Sequence, residues 1–173
     1  MEQLLMMDAQ NYDGITAEIK RISVRGVIFL DGKLLLIENI HSEVKLPGGG
    51  AEPGETDEQT LIREVKEETG YDVIPESIRP FGKITEKRLS THEMMIWHQV
   101  NRLYFCSVYP AQGTCAYTAN EQKYSFRPVL CTLDEAIQRN ERMLQHEGLR
   151  PWNQREYRTL LLLRERLSVE ARP

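Results

Sequence analysis

Three glutamates, Glu64, Glu67 and Glu68, lie three and four positions apart in a segment that begins with three consecutive glycines. On an α-helix this spacing places the three carboxylates on one side. Neighbouring like charges cost an isolated helix about a few tenths of a kcal/mol per pair, so a counter-ion is expected. Hard divalent cations such as Mg²⁺ prefer oxygen ligands and commonly share them with substrate phosphates. The spacing therefore predicts a metal site at which phosphate chemistry could occur.

The helix that must position these acids is bounded by local signals. Thr56 followed by Gln59 is the signature of a capping box, so the helix should begin there. Gly70 can adopt a left-handed conformation at little steric cost, so the helix should end there. An apolar side adjoins the acidic one and can pack on a sheet while the acids face a cleft; it consists of Leu61, Ile62 and Val65.

The residues from Gly49 onward resemble the Nudix box, G-x5-E-x7-R-E-U-x-E-E-x-G-U, in which U is a bulky apolar residue. Gly49, Glu55 and the run from Arg63 to Gly70 match every fixed position of that motif. Tyr71 is the one departure, because an aromatic residue stands where an aliphatic one is usual. A solvated acidic helix after an ordinary turn would not account for all of these offsets together.

The resemblance implies an α/β fold, a Nudix-type α/β/α sandwich with a mixed β-sheet, and a MutT-like hydrolase. Such an enzyme cleaves the pyrophosphate bond of a nucleoside diphosphate linked to another moiety, with Mg²⁺, or alternatively Mn²⁺, as its metal. The implied ligands are Glu64, Glu67, Glu68 and the carbonyl oxygen of Gly48. Either Glu64 or Glu67 would also accept a proton from the attacking water. Arg63 and Glu55 would hold the loop and the ligands in place.

Relatives often recruit a further carboxylate from outside the box. Glu121 is the first candidate, with Glu86 and Glu93 behind it, although an exposed loop glutamate is the default interpretation of each. Candidate phosphate-binding cations outside the helix are Lys45, Lys83, Lys87 and Arg88. The alternation of a β-strand would place Lys83 and Lys87 on one face and Arg88 on the other.

The only sequence evidence on the identity of the substrate is the absence of residues that are typical of particular substrate groups. Relatives that cleave ADP-ribose usually carry a proline about fifteen residues beyond the box, and residues 81–89 contain none. The elimination favours a nucleoside triphosphate or a related nucleotide. The alternatives are an ADP-ribose or nucleotide-sugar pyrophosphatase, a non-catalytic nucleotide-sensing Nudix module, and a Nudix-like isomerase that acts on a prenyl diphosphate.

Composition excludes several other classes. The 173 residues suit a single domain, 1–173, in which residues 1–20 are expected to form a loose extension with an edge strand near 15–19. A net charge of −4 without a dense basic block argues against extended nucleic-acid binding. No apolar run is long enough to span a membrane and the N-terminus has no basic segment typical of a secretory signal, so we expect a cytoplasmic protein. The three cysteines lack metal-finger spacing and should be reduced.

The remaining elements should place a mixed sheet between helices. Asp31-Gly32 separates two apolar runs and predicts a hairpin, and residues 110–120 form an expected loop. The leucine-rich side of the last helix should be core, with a homodimer contact as the lesser alternative. The expected strands are 22–30, 33–38, 81–89, 94–109 and 124–131, and the expected later helices are 132–145 and 152–169.

Overall fold

The computed structural model of this protein describes residues 1–145 and 151–170. Its helices are α1 (Asp57–Thr69), α2 (Ala119–Lys123), α3 (Leu133–Met143) and α4 (Pro151–Glu170). A short 3₁₀ turn occupies Pro75–Ser77. The strands are β1 (Gln3–Asp8), β2 (Glu18–Val27), β3 (Phe29–Leu30), β4 (Lys33–Glu38), β5 (Val44–Lys45), β6 (Gly48–Gly50), β7 (Tyr71–Val73), β8 (Arg79–Leu89), β9 (Ile96–Phe105), β10 (Val108–Gln112) and β11 (Arg127–Cys131).

The main sheet is mixed and has the strand order β1-β8-β9-β2-β6. The pairs β1/β8 and β2/β9 are parallel, whereas β8/β9 and β2/β6 are antiparallel. A second sheet has the order β11-β4-β3, with β5 paired to β4, and β7 pairs with β10. This arrangement places β6, the strand of three glycines, at one edge of the main sheet and beside α1.

Two hydrophobic cores lie on opposite sides of the strands. Leu34 and Leu36 of β4 belong to the core that α3 and α4 cover, whereas Leu35 belongs to the core under α1. The apolar run in β4 is therefore buried on both faces, as predicted for a strand between two layers. The α/β/α sandwich with a mixed sheet is confirmed. The leucine-rich side of α4 is core, since Leu160 and Leu163 are fully buried.

The N-terminal segment differs from its prediction. The edge strand is Gln3–Asp8, not residues 15–19. Of the latter, only residues 18–19 belong to a strand, and they begin the long strand β2. Leu5 and Met7 pack against the larger core, and β1 gains a parallel ladder along β8. Tertiary contacts of this kind cannot be read from a six-residue apolar run, which is why the segment was expected to be loose.

The expected loop at 110–120 and the expected strand at 124–131 also change. β10 runs into the former, and α2 precedes β11, which starts only at Arg127. Thr118 and Glu121 form a complete capping box that starts α2. The hairpin at Asp31-Gly32, the helix α3 and the helix α4 agree with prediction. In the residues that the structure describes, no helix has the length and apolar character needed to cross a membrane.

Candidate active site

Helix α1 is fixed at both ends and along its apolar side. The capping box of Thr56 and Gln59 is formed in full, and Gly70 takes the left-handed conformation at φ 76°. Asp57 in the first turn accepts hydrogen bonds from Arg102 at 2.7 Å and Tyr104 at 2.6 Å, both on β9. These contacts hold the helix rigidly against the sheet, so its acidic side has a defined orientation.

Arg63 connects the glycine strand with the acidic side of α1. Its Nε and Nη2 atoms donate to the two carboxylate oxygens of Glu55 at 2.7 and 2.9 Å, and Nη2 also donates to the carbonyl of Gly50 at 3.1 Å. Its Nη1 atom donates to Glu64 at 2.8 Å and lies 3.4 Å from an oxygen of Glu67. The predicted quartet of Arg63, Glu55, Glu64 and Glu67 is therefore brought together.

Glu55 is held ionised by this arrangement. Its hydrogen bonds from Arg63, followed by one from the backbone N–H of Glu52, lower the pKa of Glu55 to about 2. The hydroxyl of Thr60 donates a further hydrogen bond at 2.9 Å. A carboxylate with three such donors keeps its charge and its geometry, so Glu55 locks the loop after β6 onto α1.

Glu64 lies directly over Gly49. A side-chain Cβ at position 49 would clash with the carboxylate of Glu64, so only glycine leaves room for it. Burial is the main cause that raises the pKa of Glu64, and the negative charges of Glu68 and Glu67 add to it while Arg63 opposes it. Negative charge is therefore crowded at this point, and a bound cation would relieve the crowding.

Glu68 has surroundings quite different from those of its neighbours. It is 2% exposed, and its two oxygens accept hydrogen bonds from Lys45 Nζ and the backbone N–H of Gly48, both at 2.7 Å. The Lys45 ammonium also lies 4.5 Å from the centre of the Phe126 ring. Glu67, in contrast, has 41% of its side chain exposed. The three acids border one cavity, and their exposure to solvent rises from Glu68 through Glu64, whose side chain is 14% exposed, to Glu67.

The donor chemistry of this side fits a hard divalent cation. Carboxylate oxygens from Glu64, Glu67 and Glu68 adjoin the carbonyl oxygens of β6, and such ligands suit Mg²⁺. Within residues 1–145 and 151–170, no three acidic, histidine or cysteine side chains already surround a common point. The carbonyl oxygen of Gly48 accepts a hydrogen bond from Arg25 at 3.0 Å. Glu64 and Glu68 each accept a hydrogen bond from a cation, Arg63 and Lys45 respectively, and a carboxylate has further lone pairs with which to contact a metal.

A cavity of about 1140 Å³ opens beside the acidic side of α1. Its floor consists of alternate residues on neighbouring strands of the main sheet. From β2 come Arg21, Ser23 and Arg25, from β9 come Trp97 and Gln99, and from β8 comes Arg88. Polar side chains at these central positions cannot serve as apolar core, so this face of the sheet is shaped to receive a polar ligand.

The predicted cations separate into two groups. Lys45 and Arg88 line the cavity, and so does the predicted carboxylate Glu121. Lys83 and Lys87 are not among the cavity residues in the described ranges, and Lys87 instead stacks 5.2 Å from the ring centre of Tyr12. The register of β8 explains the division, because alternate residues of a strand point to opposite faces.

The candidates for an additional carboxylate also separate. Glu121 borders the cavity, where its Oε2 atom accepts hydrogen bonds from the backbone and hydroxyl of Thr118, both at 2.8 Å. Glu86 is 3% exposed and is paired with Arg88 and Arg155, each at 2.8 Å. Glu93 is exposed in the turn between β8 and β9. Of the three, Glu121 is the one in position to face a ligand.

Sequence reasoning missed the contribution of β2 and of α4. Arg25 donates to the carbonyl oxygens of Leu46 and Gly48 at 2.8 and 3.0 Å. Glu156 of α4 accepts from the backbone N–H of Leu46 at 3.2 Å and lies 3.8 Å from Arg25 Nε. The alternation Ser23-x-Arg25 in the expected strand 22–30 was the available signal, because polar residues at alternate positions of an otherwise apolar strand are unusual, whereas Arg21 lies before the expected start of that strand.

Comparison with protein families gives a match that covers most of the chain. A family model described as the NUDIX domain matches residues 20–152. A Bacillus subtilis (strain 168) protein, YjhB, named as a candidate ADP-ribose pyrophosphatase, is 28% identical over 105 residues, which are 60% of this chain and 49% of that protein. The ADP-ribose pyrophosphatase of Methanocaldococcus jannaschii is 47% identical over 53 residues, 28% of this chain and 31% of that protein. The chain thus spans half or less of the length of these curated relatives.

Solved structures show the same fold. A NUDIX hydrolase from Nitrosomonas europaea superposes with a TM-score of 0.51 and 22% identity, covering 82% of this chain and 90% of that one. An ADP compounds hydrolase superposes with a TM-score of 0.56 and 21% identity, covering 88% of this chain and 76% of that one. At such identities the likeness concerns architecture alone, namely a mixed sheet between helices.

Proposed function

This chain belongs to the Nudix family, and we propose that it is a hydrolase that cleaves the pyrophosphate bond of a nucleoside diphosphate linked to another moiety. The observation that carries this proposal is the Arg63 network, which holds Glu55, Glu64 and Glu67 beside the glycine strand and at the edge of a large cavity. Phosphoryl transfer asks a protein mainly for positioning and charge neutralisation. A rigid acidic helix side facing cationic walls supplies both.

We propose ADP-ribose, or a nucleotide sugar of similar construction, as the substrate. The sequence alone favoured a nucleoside triphosphate by elimination, but both curated relatives carry names of ADP-ribose pyrophosphatases, one of them as a candidate. These names favour the alternative that the sequence left open. A missing proline is weaker evidence than two named relatives, because a single residue outside the motif can vary while the recognition surface is kept.

The cavity supports a substrate with a ring at each end. The side chain of Arg21 lies beside Gly50, and its guanidinium carbon is 6.0 Å from the ring centre of Trp97. At the other end, Lys45 and the backbone N–H of Gly48 share Glu68 as acceptor, and the Lys45 ammonium lies over the ring of Phe126. Aromatic surfaces thus occur beyond both ends of β6. In ADP-ribose the diphosphate joins a nucleoside to a second sugar, so ring systems would lie on both sides of the acids. A nucleoside triphosphate has rings at one end only.

Nudix hydrolases generally use divalent metal ions, and for this chain we propose Mg²⁺ held by Glu64, Glu67 and Glu68. When bound, such an ion polarises phosphate oxygens and lowers the pKa of a coordinated water. Either Glu64 or Glu67 then accepts the proton of the attacking water.

The other cavity residues position the substrate. Arg63 and Glu55 keep the acids at a fixed distance from β6. Lys45 and Arg88 neutralise phosphate charge from the cavity walls. Glu121, at the rim of the cavity, is the proposed further carboxylate.

A substrate panel with product identification tests the proposal. The purified protein is incubated with ADP-ribose, ADP-glucose and the nucleoside triphosphates, once with Mg²⁺ and once with EDTA. We expect AMP and ribose 5-phosphate from ADP-ribose, only in the presence of the metal. Cleavage of triphosphates without cleavage of ADP-ribose would restore the substrate that the sequence favoured. Tight binding of a nucleotide without any turnover would instead indicate a sensing module.

A further inference from the structure

In the described part of the chain, the cavity contains one arginine or lysine side chain that has no acidic partner. Arg21 has no carboxylate within 4 Å there, whereas every other arginine or lysine of the cavity has at least one. Those paired residues are Arg25, Lys45, Arg63, Arg88 and Arg155. An unpaired guanidinium in a ligand cavity is a strong site for an anion, because it presents several N–H donors in a planar fork.

Arg21 lies in the cavity between the glycine strand and Trp97. A Cβ atom built on Gly50 would be 3.0 Å from Arg21 Nη2, so the guanidinium adjoins the last residue of the glycine strand. On its other side it lies 6.0 Å from the ring centre of Trp97. The carbonyl of Gly50 is itself bound to Arg63. Arg21 is therefore next to the place where the acidic side of α1 meets the floor of the cavity.

Trp97 is held in one orientation by buried amides. Its Nε1–H donates to Gln99 at 3.2 Å, and the Gln99 amide donates to Ser23 at 3.0 Å and to Asn101 at 2.9 Å. Gln99, Ser23 and Asn101 are all buried. The ring therefore offers Arg21 a fixed aromatic surface, and a contact between a guanidinium and an aromatic ring contributes attraction without neutralising the positive charge.

The charges around Arg21 also favour an anion. Arg21 is exposed on its solvent side. Desolvation by the cavity wall, followed by the positive charges of Arg25 and Arg155, lowers the pKa of its guanidinium, and Glu64 opposes this shift. The guanidinium stays protonated, because arginine keeps its proton in proteins. The positive charges of Arg25 and Arg155 thus repel it, and a negative group placed between these cations would relieve the repulsion.

We propose that Arg21 binds a phosphate group of the substrate's diphosphate and that Trp97 positions its guanidinium for this contact. The inference rests on the proposed function, since it assigns a residue to the diphosphate of that substrate. The recognised chemistry is a phosphate oxygen pair met by the planar fork of an arginine. Neither residue belongs to the sequence motif that identifies the acids.

Metal-free binding of ADP tests this assignment separately from catalysis. ADP carries a diphosphate, and EDTA removes divalent ions from the assay. Dissociation constants are measured by titration calorimetry for the wild type, Arg21→Gln and Lys20→Gln. Lys20→Gln is the matched control, because this substitution removes the same charge one residue away. The Lys20 side chain is 76% exposed and is paired with Glu18. Arg21→Lys is included because it keeps the charge but not the fork.

We expect Arg21→Gln to weaken ADP binding about tenfold, as for loss of a charge-assisted hydrogen bond, and Arg21→Lys to weaken it less. Lys20→Gln should stay within about twofold of the wild type. In a Trp152→Phe background Trp97 is the sole tryptophan, so ADP should change its fluorescence, and Arg21→Gln should abolish that change.

Equal ADP affinity in the wild type and Arg21→Gln would overturn the assignment, as would equal losses in Arg21→Gln and Lys20→Gln or a wild type that does not bind ADP. These outcomes differ from a failure of the proposed function. An enzyme that binds ADP through Arg21 but hydrolyses no nucleotide with Mg²⁺ would refute the hydrolase while supporting the phosphate site.

Discussion

Gly49→Ala should inactivate the protein while leaving it folded. Gly49 is outside the left-handed region of backbone conformation, so an alanine there can keep the same backbone. Its Cβ atom would lie 2.5 Å from the Cδ atom of Glu64, whereas ordinary contact begins at about 3.4 Å. The Glu64 carboxylate must therefore move by about 1 Å. It is the end of a flexible side chain, so the displacement should cost less than about 1 kcal/mol of stability.

A shift of about 1 Å in a catalytic group lowers activity by about 10²-fold. We therefore expect kcat on the best substrate of the panel to fall by about that factor, with the unfolding transition nearly unchanged. Gly48→Ala provides the contrast, because its Cβ would clash with the backbone carbonyl of Val24 at a φ of 135°. Backbone cannot move aside as a carboxylate can, so that variant should lose several kcal/mol of stability.

A double-mutant cycle shows whether the loss passes through Glu64. If it does, Gly49→Ala should have little further effect on kcat in a Glu64→Gln background, because the displaced ligand is already disabled. Additive losses in kcat would refute this reasoning and place the effect of Gly49 elsewhere, for example on the approach of the substrate to the backbone. Urea unfolding of all four proteins serves as the control for folding.

Three further outcomes are expected. Glu67→Gln should remove most activity and leave the unfolding midpoint unchanged, because it deletes a ligand charge without changing volume; full activity would count against the assigned role. The pKa of Glu55 is lowered to about 2 by Arg63, so the stability from this pair is present above pH 4.5 and is lost as the pH falls toward 2. Glu55→Gln should flatten the stability profile in that window, and an unchanged profile would contradict the linkage. Arg155→Met should destabilise the fold by about 3–5 kcal/mol in urea unfolding, since it leaves Glu86 buried with one partner fewer, and a loss below about 1 kcal/mol would show that Arg88 compensates.

The parts of the structure that were predicted correctly depend on local signals. The ends of α1 follow from Thr56 with Gln59 and from Gly70, which are contacts within one helix. The motif spacing likewise predicted that Arg63 reaches Glu55, although the two are eight residues apart. The spacing is informative because the loop between β6 and α1 has a fixed length. Such features need no knowledge of which strands are neighbours.

Apart from Arg88, which was a predicted phosphate-binding residue, the floor of the cavity was not predicted, because it depends on strand pairing. Arg21, Trp97 and Arg88 are far apart in sequence and meet only because β2, β9 and β8 are adjacent in the sheet. The support that Glu156 gives to the glycine strand likewise depends on where α4 packs. Pattern analysis could assign Arg88 and Lys87 to opposite faces of a strand, but not decide which face borders the ligand.

The secondary-structure errors have a similar origin. The strand Gln3–Asp8 is stabilised by its ladder with β8 rather than by its own composition. Helix α2 is short, and its capping box of Thr118 and Glu121 lies in a segment whose small polar residues are typical of a loop. In the first case tertiary contacts outweighed local propensity, and in the second a helix-start signal was present in a segment interpreted as a turn.

The position of bound metal ions tests the central claim most directly, namely that the acidic side of α1 gathers divalent cations next to a pyrophosphate bond. Crystals grown with Mn²⁺ and ADP would be measured at a wavelength at which manganese scatters anomalously. We expect manganese peaks at the carboxylates of Glu64, Glu67 and Glu68, with the diphosphate bridging toward Arg21. Manganese bound only outside this cavity, or a diphosphate bound far from these three acids, would contradict the claim.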